Sequence, residues 1–483
     1  MGEESRASAG VEPNEESSST LSSQLSSQKT PEAFPRKRMF AEPLFRLKAD
    51  ETWFLTYLAN NVSNAITSPL ITLYCFLELN MSLFKIGLIQ ASYFLSAIPG
   101  SIFWAKVYDK YKAKHLFVFA GFVSAGACLI CMALLQSFRY YFLLNFLGGF
   151  FISSVAPMLT LAGSFSDNGV WTSREDAMGR ITGLGSLLGL LISIGWTRYV
   201  LFVGSSDPTE AMKYLFLIAG SFLIAAGLLS LIFFRKDPHK HLEKGLPPLK
   251  EVTIFSDRWV EKNRFIPFPA YNLLYKGKII RVSDPAYHLH DKMKIMLMAI
   301  FLITTGTTIF LTPFPIFLAD RYAASLWGIF IIYFMNGLCS FLISLLAVRM
   351  VTNRHPRAIL SVTTILRGFL FLIAGLLSIT ILGIPAALGL FLLAILFSFA
   401  GVLWPYFALA SNKLAREYSL ERGGARALGI YGTVVSGSTI LGSIAGGALG
   451  MFNYPTAFVL SGVLTLAGTA LLLLLPKEMA KEN

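Results

Sequence analysis

Charge is scarce in this chain, and nearly missing where the chain is most apolar. Only 14% of its 483 residues are charged while 54% are hydrophobic, which excludes a string of soluble domains and makes it an integral membrane protein. No aspartate, glutamate or histidine lies deep in a long apolar run: Glu78 and Asp320 stand at run ends, and all six histidines fall in loops. That absence excludes a buried carboxylate relay. No nucleophile, metal or nucleotide constellation is present either, so the chain is not an enzyme and no catalytic residue, cofactor or metal is expected. The four cysteines, Cys75, Cys128, Cys131 and Cys339, lie in or at the ends of apolar runs and define no disulfide framework. Cys128 and Cys131 have the spacing of a redox or zinc pair, but with no flanking histidine or charge they read as two small apolar residues. Gly183 and Gly185 imitate a nucleotide fingerprint without the strand that must precede one.

The apolar runs have membrane length, about 20 residues of helix each. They cover 53–75, 84–105, 116–135, 140–163, 178–203 and 214–234, then 293–319, 323–348, 358–378, 383–409, 425–449 and 454–475. The expected fold is therefore all-α, with twelve transmembrane helices as two pseudo-symmetric six-helix bundles, 51–234 and 293–476. A serine-rich tail of residues 1–50 lacks an apolar stretch and reads as disordered. Residues 235–292 form a polar linker containing Pro247 and Pro248, and 477–483 a short tail. The formal net charge of +13 falls mostly in loops, where it reads as orientation signals facing anionic lipid and not as a nucleic-acid surface. Lys106, Lys110, Lys112, Lys114, Arg349, Arg354 and Arg357 share one side with the basic cluster before the first span. The positive-inside rule puts that side, both termini and the linker in the cytoplasm of a cell-membrane protein.

The two bundles are copies of one design. An apolar run around Pro157 leads into a turn with Arg174, Glu175 and Asp176, then into Ala177 and Gly179. About 250 residues later Pro405, Glu421, Arg422, Ala427 and Gly429 repeat the arrangement. Ser68, Pro69 and Leu70 likewise match Thr312, Pro313 and Phe314.

Twelve spans, a long central loop and these paired landmarks resemble the major facilitator superfamily of secondary transporters over everything after residue 50. That family carries a signature between spans two and three: glycine, three residues, aspartate, a basic residue, any residue, glycine, two basic residues. In this chain it falls on 105–114, where Asp109, Lys110 and Lys114 match and both glycines are replaced. The resemblance implies that Asp109 and Lys110 belong to an inner gate. It also implies that spans one and seven line a central cavity. Many proton-coupled members have an arginine in span four where this chain has Asn145, which implies weak proton coupling.

Candidate substrate contacts follow from polar residues that lipid does not tolerate. Tyr57, Asn61, Asn64 and Ser68 recur at helical spacing on one face of span one, and the repeat carries the last three onto Thr305, Thr308 and Thr312 of span seven. Such residues also serve as interhelical hydrogen bonds. Trp404 and Tyr406 flank Pro405 and offer stacking surfaces, and Asn145 joins the set. Pro69 and Pro313 are expected to bend their helices and act as gates. Gly183, Gly185, Gly189, Gly442, Gly446 and Gly450 are expected on surfaces where the bundles rock against each other. Arg367 lies about 15 Å into span nine at 1.5 Å per residue. It is expected to snorkel or pair with carbonyls, with an anion site as the alternative. The sequence thus predicts a monomeric secondary transporter of a small neutral polar or aromatic-bearing solute, in contact with lipid and not with nucleic acid. An organic-anion carrier using Arg367 and a non-transporting receptor or scaffold are the alternatives.

Overall fold

The computed structural model describes residues 54–110, 114–155, 168–202, 208–233, 291–379, 385–420 and 424–475. The tail 1–50, the linker up to residue 290, the tail 477–483 and the run around Pro157 lie outside the described residues. So do the side chains of Asp109, Lys110 and the charged turn at 174–176.

Thirteen α-helices occupy the described residues: α1 (Phe54–Leu77), α2 (Leu83–Lys110), α3 (Lys114–Leu134), α4 (Phe138–Ile152), α5 (Asn168–Phe202), α6 (Pro208–Phe233), α7 (Asp291–Leu311), α8 (Phe314–Tyr322), α9 (Leu326–Asn353), α10 (Pro356–Ile379), α11 (Ala386–Leu420), α12 (Gly424–Phe452) and α13 (Tyr454–Leu474). No strand occurs among the described residues. Ten segments are long and apolar enough to cross a membrane, with α7 and α8 counted as one. The two remaining helices have identifiable reasons: α1 is diluted by its polar stripe, and only 15 residues of α4 are described.

The same partner pattern occurs twice. Helix α1 packs on α5 and α6, α3 on α6 and α4, and α2 on α4; in the later part α7 packs on α12 and α13, α10 on α13 and α11, and α9 on α11. Three seams join the two sets: α2 with α12, α5 with α9, and α1 with α8. The turns repeat too. Asn80 after α1 and Ala323 after α8 both adopt the left-handed region, with φ of 46° and 47°. Each turn is closed by a six-residue hydrogen bond, Met81 N–H to Cys75 O at 2.9 Å and Ala324 N–H to Leu318 O at 3.1 Å. One apolar core includes residues of both α1 and α8, and within its later part Phe310 of α7 stacks on Phe371 of α10 at 4.5 Å and on Phe314 of α8 at 4.9 Å.

The two prolines behave differently from each other. Pro69 lies inside an uninterrupted α1. Pro313 instead separates α7 from α8, because its ring removes a donor and a second proline, Pro315, follows in the first turn of α8.

The expected role of the glycines needs correction. A Cβ at Gly185 would meet Leu58 O at 2.7 Å, and one at Gly442 would meet Thr305 O at 2.8 Å. Gly189 and Gly446 press on α1 and α7 in the same way. These four therefore seat α5 on α1 and α12 on α7, each within its own set of helices. The contacts between sets come from Gly183, which faces Phe341, and from Gly450, which lies against Leu83 and Pro313. Gly447 adds to them, since its Cβ would come 2.5 Å from Leu83 O and 3.1 Å from the Cα of Gly87. Adjacent residues of one helix point about 100° apart, so Gly446 and Gly447 serve different partners.

Candidate substrate cavity

A cavity of about 920 Å³ lies between the two sets of helices, with walls mainly from α1, α2, α3, α4, α7, α9, α11 and α12. Its lining holds no aspartate, glutamate, lysine, arginine or histidine among the described residues. Amides and hydroxyls provide the polarity instead.

The stripe on α1 divides along its length. Asn61 is buried, and its Nδ2 donates to Tyr57 O of its own helix at 2.8 Å. The close approach of α5 at Gly185 covers it. One turn on, Asn64 and Ser68 are free of α5 and form part of the cavity wall. On α7 and just beyond its end, Thr305 lies under α12 and off the wall, while Thr308 and Thr312 line the wall although they too pack on Gly442 and Gly446 of α12 and Thr312 is itself buried. Tyr57 lies off the cavity, and Tyr406 turns away to donate from its hydroxyl to Met350 Sδ at 3.3 Å. Trp404 is on the wall and half exposed there.

Two wall amides also hold the helices in place. Asn145 Nδ2 donates to Ile89 O at 2.6 Å, tying α4 to α2, and Asn336 Nδ2 donates to Phe397 O at 2.5 Å, tying α9 to α11. Gln90 bridges three helices. Its amide nitrogen donates to Thr72 Oγ1 at 2.7 Å, and its carbonyl oxygen accepts from Thr312 Oγ1 at 2.9 Å. It stands about one turn along α2 from Gly87, where α2 and α12 approach closely. The hydroxyls of Thr307 and Ser443, also on the wall, have no hydrogen-bond partner. Aromatic faces come from Tyr93, Phe94, Tyr333, Phe407 and Tyr431 besides Trp404. A second chamber of about 490 Å³ between α5 and α9 shares Asn64, Ser68, Tyr333, Asn336 and Trp404 with the first.

Sequence reasoning missed Gln90, Asn336, Asn412 and Tyr431. None of them belongs to the periodic stripes on α1 and α7. The usable signal was the rarity of amides within spans, read helix by helix.

Arg367 departs from expectation. It neither snorkels nor pairs its Nε and Nη1 with carbonyls; both atoms are buried without a partner. Helix α10 turns it inward, where the rings of Trp404, Phe407 and Phe371 surround the guanidinium. Arg357, by contrast, satisfies the C-terminal carbonyls of α13, donating to Leu472 O and Leu473 O at 3.0 and 2.8 Å.

Ten membrane-length segments enclosing a cavity with amides and hydroxyls, and no charged side chain among the described residues, fit a transmembrane transport protein. A model of the Major Facilitator Superfamily matches residues 53–419, and the chain belongs to that superfamily. Solved structures agree on the fold. A point mutant of the nucleoside transporter NupG superposes with a TM-score of 0.62 at 12% identity, covering 89% of this chain and 100% of that one. A POT family transporter in complex with a thioalcohol-conjugated peptide superposes with a TM-score of 0.60 at 14% identity, covering 91% and 97%. No match was found among curated proteins.

Proposed function

We propose that this protein is a secondary transporter that moves a small organic solute across the cell membrane by alternating access between two six-helix halves. The solute carries hydrogen-bonding groups and a planar or aromatic part and is not highly charged. The observation that carries this reading is the uncharged cavity of about 920 Å³, to which α1 and α7 contribute polar groups in the same register. A site reached alternately from either side needs contacts from both halves at one depth. The doubled packing pattern supports twelve spans in halves 51–234 and 293–476, with the linker 235–292 and both termini cytoplasmic. In that orientation the α2–α12 seam and Gln90 close the outer end, so the described conformation faces inward. Asn64, Ser68, Thr308, Thr312, Gln90, Asn336 and Trp404 are the proposed substrate contacts, and Asp109 and Lys110 the inner gate.

One structural neighbour is a nucleoside transporter and another is a transporter in complex with a conjugated peptide; nucleosides and peptides both offer hydrogen-bonding groups, and the cavity has matching donors and acceptors. Proteoliposome uptake, after a thermal-shift screen of metabolite libraries to find ligands, tests the proposal. Saturable flux of a ligand that stabilises the protein is expected. That flux should respond weakly to an imposed pH gradient, because no carboxylate lines the cavity among the described residues. Tight binding without flux would favour the receptor or scaffold reading.

A further inference from the structure

Arg367 is 4% exposed, and no acidic side chain pairs with it among the described residues. A guanidinium remains charged at any physiological pH. Its carbon stands 5.2 Å from the Trp404 ring, 5.4 Å from Phe407 and 5.6 Å from Phe371. Ring faces offset part of the cost of burying this charge, yet they accept no conventional hydrogen bond, and Nε and Nη1 remain unmet. Two of the three rings, Trp404 and Phe407, belong to the cavity wall. Those two rings thus touch both the cation and the cavity.

The rings are mounted on a weak turn. Pro405 sits between them inside α11 and takes away the N–H that the Gly401 carbonyl would otherwise receive. A small bend there displaces Trp404 and Phe407 together. We infer that these two rings are a shutter over an anion subsite, and that Arg367 recognises a single carboxylate on the substrate's planar part. One edge of the guanidinium, Nε with Nη2 or Nη1 with Nη2, matches a carboxylate with two parallel hydrogen bonds, which would satisfy one of the two donors now unmet. The ring of such a solute has Trp404 and Phe407 to stack on. This rests on the transporter reading for its cavity, but the test is of binding alone.

Equilibrium dialysis of 2-naphthoate and of its uncharged isostere 2-naphthamide against the purified full chain at neutral pH measures the charge preference directly. The wild-type protein is expected to hold naphthoate about tenfold more tightly than naphthamide, as a charge-assisted pair allows. Arg367→Gln should bring that ratio to about one while leaving naphthamide affinity within about twofold. Trp404→Ala, which keeps the cation and removes half of the shutter, should raise the naphthoate ratio further. It decides the matter alone if Arg367→Gln does not fold. A wild-type protein without preference, an unchanged ratio in Arg367→Gln, or an equal loss of both probes in Trp404→Ala overturns the proposal. Uptake of 2-naphthoate into proteoliposomes is read separately. Arg367-dependent binding with no flux would remove the transporter reading and leave the subsite standing.

Discussion

Neighbouring residues of one stripe have different fates. Asn64 is on the cavity wall and Asn61 is beneath α5, although three residues separate them on the same helix face. Asn64→Ala should therefore weaken ligand binding about three- to tenfold, the loss of one hydrogen bond, and leave the melting temperature nearly unchanged. Asn61→Ala should do the reverse, lowering stability by roughly 1 kcal/mol with affinity intact, because its buried amide bonds back to Tyr57 O within α1 beneath α5. Melting temperature and affinity measured on the same preparations separate the two; matching losses at both positions would contradict the division. Ala323 offers a second test. An alanine in the left-handed region costs about 1–2 kcal/mol, and glycine removes that strain at an entropic cost of about 0.5–1 kcal/mol. Ala323→Gly, at an exposed turn, should thus raise the melting temperature in detergent by the equivalent of about 0.5–1 kcal/mol.

At the level of helices, prolines, charged turns and polar stripes recur in the sequence, and among the described helices a pattern of packing partners also occurs twice. What could not be read was which member of a stripe is covered. Asn61 and Thr305 are hidden by glycines of α5 and α12, more than a hundred residues away in the chain, and periodicity within one helix carries no record of them. Pro69 and Pro313 look alike in sequence, yet only the second has another proline two residues on, and only there does the helix break. Gln90, a lone amide, gave periodicity nothing to detect. The α2–α12 seam makes its own prediction. The atom facing Gly87 is the Ser443 backbone carbonyl, which cannot rotate aside, so Gly87→Leu should overpack the seam by about 1–3 kcal/mol. A cysteine placed at Thr72 in that background should react faster with an impermeant maleimide added from the outer face. Slower or unchanged labelling would mean that the seam does not open.

For the whole molecule, a charge-free cavity and one caged cation have an electrical consequence. A unit charge that crosses the entire membrane field does work of about 2.3 kcal/mol per 100 mV. Arg367 need not travel that far. If closing and opening of the halves carries α10 through a tenth of the field, the inward- and outward-facing populations change ratio by about 1.5-fold per 100 mV, since the work is then about 0.2 kcal/mol. With no described partner to cancel it, the arginine would make the empty carrier a voltage sensor, and a bound monoanion would silence it. Voltage steps applied to membranes containing the protein should evoke a small transient displacement current. That current should vanish in Arg367→Gln and shrink as 2-naphthoate is added.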